Sequence, residues 1–238
     1  MAARISSGSL WSTVVAPRIP WMRTGGVMAP NVAALIRLML VTDDKLLRGR
    51  DLVQLARAAE RGGITALQVR LKSPPARELS EIVRRLVATL NIPVLVNDRP
   101  DVALAAGAAG THLGPDDMPV RLVRRIAPPG FIIGASVGSE AEAETATEAD
   151  YWGVGPWGGT TTKGDAGQAL GPDGFARIVG LAGDKGCIAI GAVRPEDVPL
   201  VGSHGGRGVA VVSGILDAED IQAAARRYAV AVSASIPL

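Results

Sequence analysis

The sequence predicts a single (β/α)8 barrel with a flexible N-terminal extension. From Arg37 onward, short β-rich runs alternate with Ala-, Leu- and Arg-rich stretches of helical spacing, the pattern of βαβ units and a parallel sheet. Eight such pairs fit into about 200 residues, which matches a compact closed barrel better than an open doubly wound sheet. With 47% apolar and 20% charged residues among 238, the chain can bury one sizeable core without disulfides or metal.

Strands are expected at residues 38–42, 66–70, 94–97, 110–113, 131–135, 151–155, 188–190 and 208–212. Helices are expected at 51–61, 76–90, 101–106, 120–126, 140–146, 172–181, 195–201 and 218–229, most with an acidic or proline-marked start. Residues 35–238 make up the barrel domain. Residues 1–34 form an acid-free, Arg- and Ser-bearing leader with Trp11 and Trp21. It has the composition of a transit peptide, but Met22 and Met28 are alternative starts, so a mis-assigned start or a disordered tail is the expectation.

Charge and composition exclude several functions. The formal charge is +2, yet Arg4, Arg18, Arg23 and Arg37 all precede the first acid, Asp43, leaving 21 basic against 23 acidic residues beyond them. No basic stripe follows, and 3% aromatic content offers no stacking surface, so nucleic acid is not an expected partner. Apolar runs are too short and too often broken by Gly or charge to span a bilayer. The single cysteine, Cys187, lies in an apolar run and reads as a buried core residue of a reducing, cytoplasmic protein. Small-molecule partners are expected, and the chain leaves room for a homo-oligomer.

A barrel of this kind carries its chemistry on the loops that follow its strands. After the second strand, Gln68, Arg70 and Lys72 alternate with Val69 and Leu71 and so point to one face. Two inward cations at a rim call for an anion such as a di- or triphosphate; the alternative is a surface charge pair on a frayed strand end. After the third strand come Asn97, Asp98, Arg99 and Asp101. Asp101 reads as a helix cap or first-turn acid, leaving Asp98 with oxygens suited to Mg2+. After the fourth strand, Gly114 and Pro115 turn the chain and deliver Asp116 and Asp117; one can cap the next helix and the other complete a magnesium site with Asp98. His112 reads as a structural strand-end residue.

Ser136 supplies a hydroxyl after the fifth strand, where a serine is normally a helix cap. The sixth loop runs from Gly155 and Pro156 to Thr160, Thr162 and Lys163, combining close backbone approach with donors for anionic oxygens; a flexible lid with a solvated lysine is the plainer reading. Gly191 and Ala192 follow the seventh strand and Ser213 and Gly214 the eighth, the two loops where barrels commonly hold a phosphate monoester.

Taken together these loops resemble the thiamine-phosphate synthase family, in order from Leu40-Val41-Thr42-Asp43 to Val211-Val212-Ser213-Gly214-Ile215, about four-fifths of the chain. The resemblance implies that Asp98 and Asp117 hold Mg2+, that Arg70, Lys72, Asn97 and Lys163 bind a diphosphate, and that Gln68 faces an aminopyrimidine. Ser136, Thr160 and Thr162 would complete the pocket, with Lys163, Ser136 and Arg70 in catalytic roles. Gly191, Ala192 and Ser213 would receive a thiazole phosphate through backbone amides. In the family the diphosphate leaves first and the thiazole nitrogen captures the resulting pyrimidine-methyl cation, so no protein nucleophile is required.

Four positions depart from the family pattern. Leu71 stands where an acid is usual, Pro115 where a glutamine is, Gly138 where a histidine follows the serine by two, and Ala192 where the phosphate loop has its second glycine. Two alternatives accompany the synthase reading: the related thiazole tautomerase, whose acid/base histidine would occupy the Gly138 position, and a non-catalytic barrel that binds thiamine precursors.

Overall fold

A computed structural model describes residues 31–159 and 168–237. Eight parallel strands close on themselves in sequence order: β1 (Leu38–Val41), β2 (Ala66–Val69), β3 (Val94–Asn97), β4 (Gly110–Leu113), β5 (Ile132–Val137), β6 (Tyr151–Val154), β7 (Gly186–Ile190) and β8 (Gly208–Val211). Closure comes from the β1–β8 pairing, in which Met39 aligns with Ala210. All eight expected strands are present within a few residues. β5 runs two residues further than expected, and β7 starts two residues earlier.

Eleven helical segments connect the strands among the described residues. α1 (Val32–Leu35) precedes the barrel; α2 (Asp44–Leu47) and α3 (Leu52–Gly62) follow β1; α4 (Ala76–Thr89), α5 (Pro100–Ala106), α6 (Val120–Ile126) and α7 (Glu140–Thr145) follow β2 to β5. α8 (Gly171–Leu181) follows β6, α9 (Val198–Ser203) follows β7 after a 3-10 turn, and α10 (Ser213–Leu216) and α11 (Ile221–Ser235) follow β8.

Strand alternation divides the core into two shells. Leu38, Leu40, Leu67, Val69, Val94 and Val96 pack outward against the helices, while Met39, Val41, Ala66, Leu95, Ile132, Tyr151, Ile188 and Ala210 fill the barrel. Cys187 faces the outer shell as a free, fully buried thiol; burial pushes it up to about 12, so it stays protonated. Leu35 and Ile36, just before β1, join the inner cluster and close the barrel floor.

Helix starts follow side-chain capping. Asp51 accepts from the amides of Val53 and Gln54 at 2.8 and 3.1 Å, and Gly63, at φ 105°, ends the same helix. The last helix differs from expectation at both ends. Asp220 caps it, so it starts at Ile221 rather than 218; it runs past 229 to Ser235 because no breaker intervenes before Pro237. There the Arg37 guanidinium donates to the carbonyls of Ile236 and Pro237 at 2.9 and 3.0 Å, tying the helix end to the start of β1. Replacing Asp51 with alanine should lower unfolding free energy by about 1 kcal/mol, read from the urea midpoint at unchanged slope.

Candidate active site

Side chains of one strand parity converge at the C-terminal mouth. Gln68 on β2 and His112 on β4 point into the barrel and are buried; Asn97 on β3 and Ser136 on β5 share that inward register. The Gln68 amide lies 3.3 Å from the Met39 sulfur, in the upper layer of the barrel filling. His112 bridges two hydroxyls, with Nδ1 3.0 Å from the Tyr151 oxygen and Nε2 3.0 Å from Ser136 Oγ. Ser136 is therefore a strand residue held by an imidazole; the helix cap is Ser139, whose hydroxyl accepts from the Glu142 amide. Space for the imidazole comes from Gly153, where a Cβ would lie 3.0 Å from His112 Cε1.

Arg70 and Lys72 lie just beyond β2, each facing an acid. The Thr42 hydroxyl accepts from the Arg70 amide at 2.8 Å and donates to its carbonyl at 3.1 Å, pinning the ends of β1 and β2 together. The Arg70 guanidinium pairs with Asp43 at 3.1 Å; Asp43 in turn caps α2 through the amides of Lys45 and Leu46. The Lys72 ammonium pairs with Asp98, and its backbone N–H donates to Asp44 at 2.6 Å. Arg70, Lys72, Asn97 and Asp98 line a cleft of about 140 Å³. A wider groove of about 580 Å³, bounded by Arg61, Arg226 and small residues of α3 and α11, lies at the opposite end of the barrel and brings no acid to its cations.

Asp98 sits in the left-handed region at φ 63°, a conformation that costs a non-glycine residue on the order of 1 kcal/mol. The turn holds because the Asp98 amide donates to the His112 carbonyl at 2.8 Å and the Asn97 amide group donates to the Asp98 carboxylate. Asp101 is a first-turn acid of α5 rather than its cap: Arg99 holds the N-cap position and its guanidinium grips Asp101 in two bonds of 2.6 and 2.9 Å, lowering that carboxyl. Neither Asp116 nor Asp117 caps α6, whose N-cap is Pro119. The Asp117 carboxylate instead turns back to accept from the Gly114 amide at 2.7 Å and meets the Asp98 carboxyl. Burial first, then the Asp98 contact, push Asp117 up to about 6 even though Lys72 acts in the other direction.

Two crowded carboxylates short of countercharge are what a divalent cation relieves. Mg2+ takes one or two carboxylates beside substrate phosphates, so two acids suffice; no group of three or more metal-ligating His, Cys, Asp or Glu occurs among the described residues.

The sixth and seventh loops are laid side by side. The Trp157 and Gly158 amides donate to the carbonyls of Ile190 and Gly191 at 2.7 and 2.9 Å, while Leu170 and Gly171 return to the carbonyls of Pro156 and Trp157. The flanks of the threonine- and lysine-bearing segment are thereby pinned at the end of β6. Thr160, Thr162 and Lys163 themselves lie outside the described residues. Trp157 is buried edge-on against Phe175 at 5.4 Å and packs the core rather than the pocket. Gly191 takes φ 99° with Pro156 directly beneath it, and Ala192 takes φ 52°. Ala192, at the position where the resemblance implies a glycine, is thus a left-handed residue that carries a Cβ. Ser213 opens α10 next door, at the end of β8.

The comparisons with known proteins agree with this geometry. The family model described as thiamine monophosphate synthase matches residues 38–215. The chain belongs to the thiamine monophosphate synthase family. Within that family it is 42% identical to the thiamine-phosphate synthase of Azorhizobium caulinodans, a match covering 80% of this chain and 92% of that protein. It is 43% identical to the Methanoculleus marisnigri thiamine-phosphate synthase over 79% and 92% of the two. The solved thiamine phosphate pyrophosphorylase from Pyrococcus furiosus superposes with a TM-score of 0.77 at 35% identity, over 87% of this chain and all of that one. Likeness to 3-hexulose-6-phosphate synthase, at 17% identity and a TM-score of 0.60, extends to the barrel fold alone.

Sequence reasoning left Asp43 open between a pocket role and a helix cap, and missed Asp44, which holds the Lys72 backbone, and the Tyr151–His112–Ser136 chain. The signal for the chain was strand parity: Tyr151, His112 and Ser136 occupy inward positions of adjacent strands. Two outcomes follow from the local chemistry. Because Asp117 is raised, the folded chain keeps a proton that the unfolded chain has lost, so its contribution to stability falls as pH climbs from about 4 through about 6. In chelator-treated protein, Asp117→Asn should therefore melt above wild type at pH 7.5, with the gap closing toward pH 4; an unchanging gap would contradict this. Ala192→Gly should raise unfolding free energy by about 0.5–1 kcal/mol in denaturant titration by relieving the left-handed alanine.

Proposed function

We propose that this chain joins 4-amino-2-methyl-5-pyrimidinylmethyl diphosphate to 4-methyl-5-(2-phosphoethyl)thiazole, giving thiamine phosphate and diphosphate by a dissociative substitution assisted by Mg2+. The observation that carries the reading is the meeting of Asp98 and Asp117 beside Arg70, Lys72 and Asn97 at one barrel mouth. The carbon–oxygen bond to the diphosphate breaks with both electrons leaving on oxygen, and the thiazole nitrogen lone pair then forms the new carbon–nitrogen bond. No proton need move between substrate and protein.

In this reading the work of the chain is to bind and orient charge. Asp98 and Asp117 would hold Mg2+, which when bound supplies positive charge to the departing diphosphate. Arg70, Lys72, Asn97 and Lys163 offer donors to the same oxygens; the Arg70 guanidinium is already aimed by Asp43, and the Lys72 backbone is held by Asp44. Ser136, fixed by His112, and the Thr160 and Thr162 hydroxyls complete the pocket wall, with Gln68 facing the aminopyrimidine. Backbone amides of Gly191, Ala192 and Ser213 receive the thiazole phosphate. A cytoplasmic setting belongs to the same proposal, supported by the single, buried, protonated cysteine and by the absence among described residues of any helix long and apolar enough to cross a membrane.

One observation argues against the tautomerase alternative. The Gly138 amide is taken up by the Glu142 carboxylate at 2.5 Å, and a Cβ at Gly138 would come within 2.7 Å of the Gly155 carbonyl. An imidazole has neither a residue nor room there.

The test is an assay with both phosphorylated precursors and Mg2+, following thiamine phosphate and diphosphate release. Asp98→Asn, which retains a residue tolerant of the left-handed turn, and Lys163→Ala should each lower kcat by about 10²–10³ with melting temperature nearly unchanged. Wild-type turnover in both variants would overturn the metal and diphosphate site; binding of the precursors without any product would favour a silent barrel.

A further inference from the structure

Tyr228 lies in the middle of α11, buried to 3% exposure, with its hydroxyl directed at the loops that follow β7 and β8. The phenol donates to the Val193 carbonyl at 3.0 Å. On the other side of the same peptide, the Arg194 amide donates to Asp197 at 2.8 Å. The Val193–Arg194 peptide, one residue beyond the left-handed pair Gly191 and Ala192, is therefore held at both ends. The phenol oxygen also lies against Gly214: a Cβ there would come within 2.1 Å of it and 3.0 Å of the ring carbon bearing it. Gly214 is not among the positive-φ glycines, so its backbone conformation does not demand glycine; the volume of Tyr228 does.

We propose that Tyr228 is a positioning residue for phosphate capture, its hydroxyl fixing the spacing between loops 191–193 and 213–214 so that their amides face one monoester phosphate. This rests on the reading of those loops as the thiazole-phosphate site. Loops that follow strands drift independently unless something ties them together, and a cradle of amides from two loops loses donors when the loops part by a fraction of an ångström. Ala192 adds a second need for restraint, since a left-handed alanine relaxes when its neighbouring peptide is released. Burial first, and then the charge of Glu196, raise the phenol above its ordinary range, so it remains a donor throughout the working pH range. Tyr228 touches no reacting atom, and phenylalanine would fill the same helix-packing volume without the tie.

The experiment compares wild type, Tyr228→Phe, Gly214→Ala and the double variant as full-length protein. It measures calorimetric binding of the thiazole phosphate, KM for each precursor, kcat and melting temperature. Tyr228→Phe should weaken thiazole-phosphate binding and raise its KM roughly fivefold to twentyfold, the loss expected for a released hydrogen bond, while kcat and KM for the pyrimidine diphosphate stay within about twofold. Gly214→Ala should lose at least as much, and adding Tyr228→Phe should restore part of it by removing the colliding oxygen. Unchanged thiazole-phosphate binding in Tyr228→Phe, or a rise of both KM values and a fall of kcat in step with a lowered melting temperature, overturns the positioning role. If wild type binds the pyrimidine diphosphate but not the thiazole phosphate, the assignment of the loops falls first, and this role with it.

Discussion

The inward or outward parity of the eight strands is the constraint on which the site depends. In a closed parallel barrel each side chain faces either the helices or the filled interior, and the ladder fixes which. Gln68, Asn97, His112, Ser136 and Tyr151 all stand on inward positions, so their polar ends gather above the apolar filling of Met39, Leu95, Ile132 and Ile188. A slip of one residue in β2 would send Gln68 into the helical shell and bring Leu67 into the pocket. The apolar pattern that folds the barrel is thus the same one that aims the chemistry.

Charge at the mouth is arranged in opposed pairs that leave one imbalance. Arg70 faces Asp43, and Lys72 faces Asp98, while Asp117 is driven toward protonation by burial and by Asp98. Buried or half-buried ions are stable only when paired, and an acid left over in such a cluster is a standing demand for positive charge. In the proposed function a metal diphosphate would meet both demands together: the metal would settle the acids, and the phosphate oxygens would engage the cations.

Strain marks the same region. Among the described residues only Arg48, Asp98 and Ala192 hold positive φ without being glycine. Arg48 lies at the end of α2, but Asp98 and Ala192 stand at the ends of β3 and β7; the Asp98 amide donates across to His112, and the residues on either side of Ala192 accept from Gly158 and Tyr228. Stored backbone strain of this kind persists only where surrounding contacts over-determine it, which is why Tyr228, remote in sequence, bears on the loop after β7.

The sequence by itself determined the barrel, because eight alternations of β-rich and helical runs are local patterns, and most strands begin and end where hydrophobicity and turn residues change. It also brought out Asp98, Arg70 and Lys72, since charged groups at strand ends stand out against apolar runs, while the choice of Asp117 over Asp116 came only with the family resemblance. What it could not decide was partnership. That Asp43 holds Arg70, that Asp117 turns from the helix start to Asp98, that His112 links Ser136 to Tyr151, and that α11 reaches the loops after β7 and β8 all depend on contacts between segments distant in the chain. Capping and pairing are equally open to an aspartate read alone; only closure of the barrel, which brings the eight loops to one rim, selects between them.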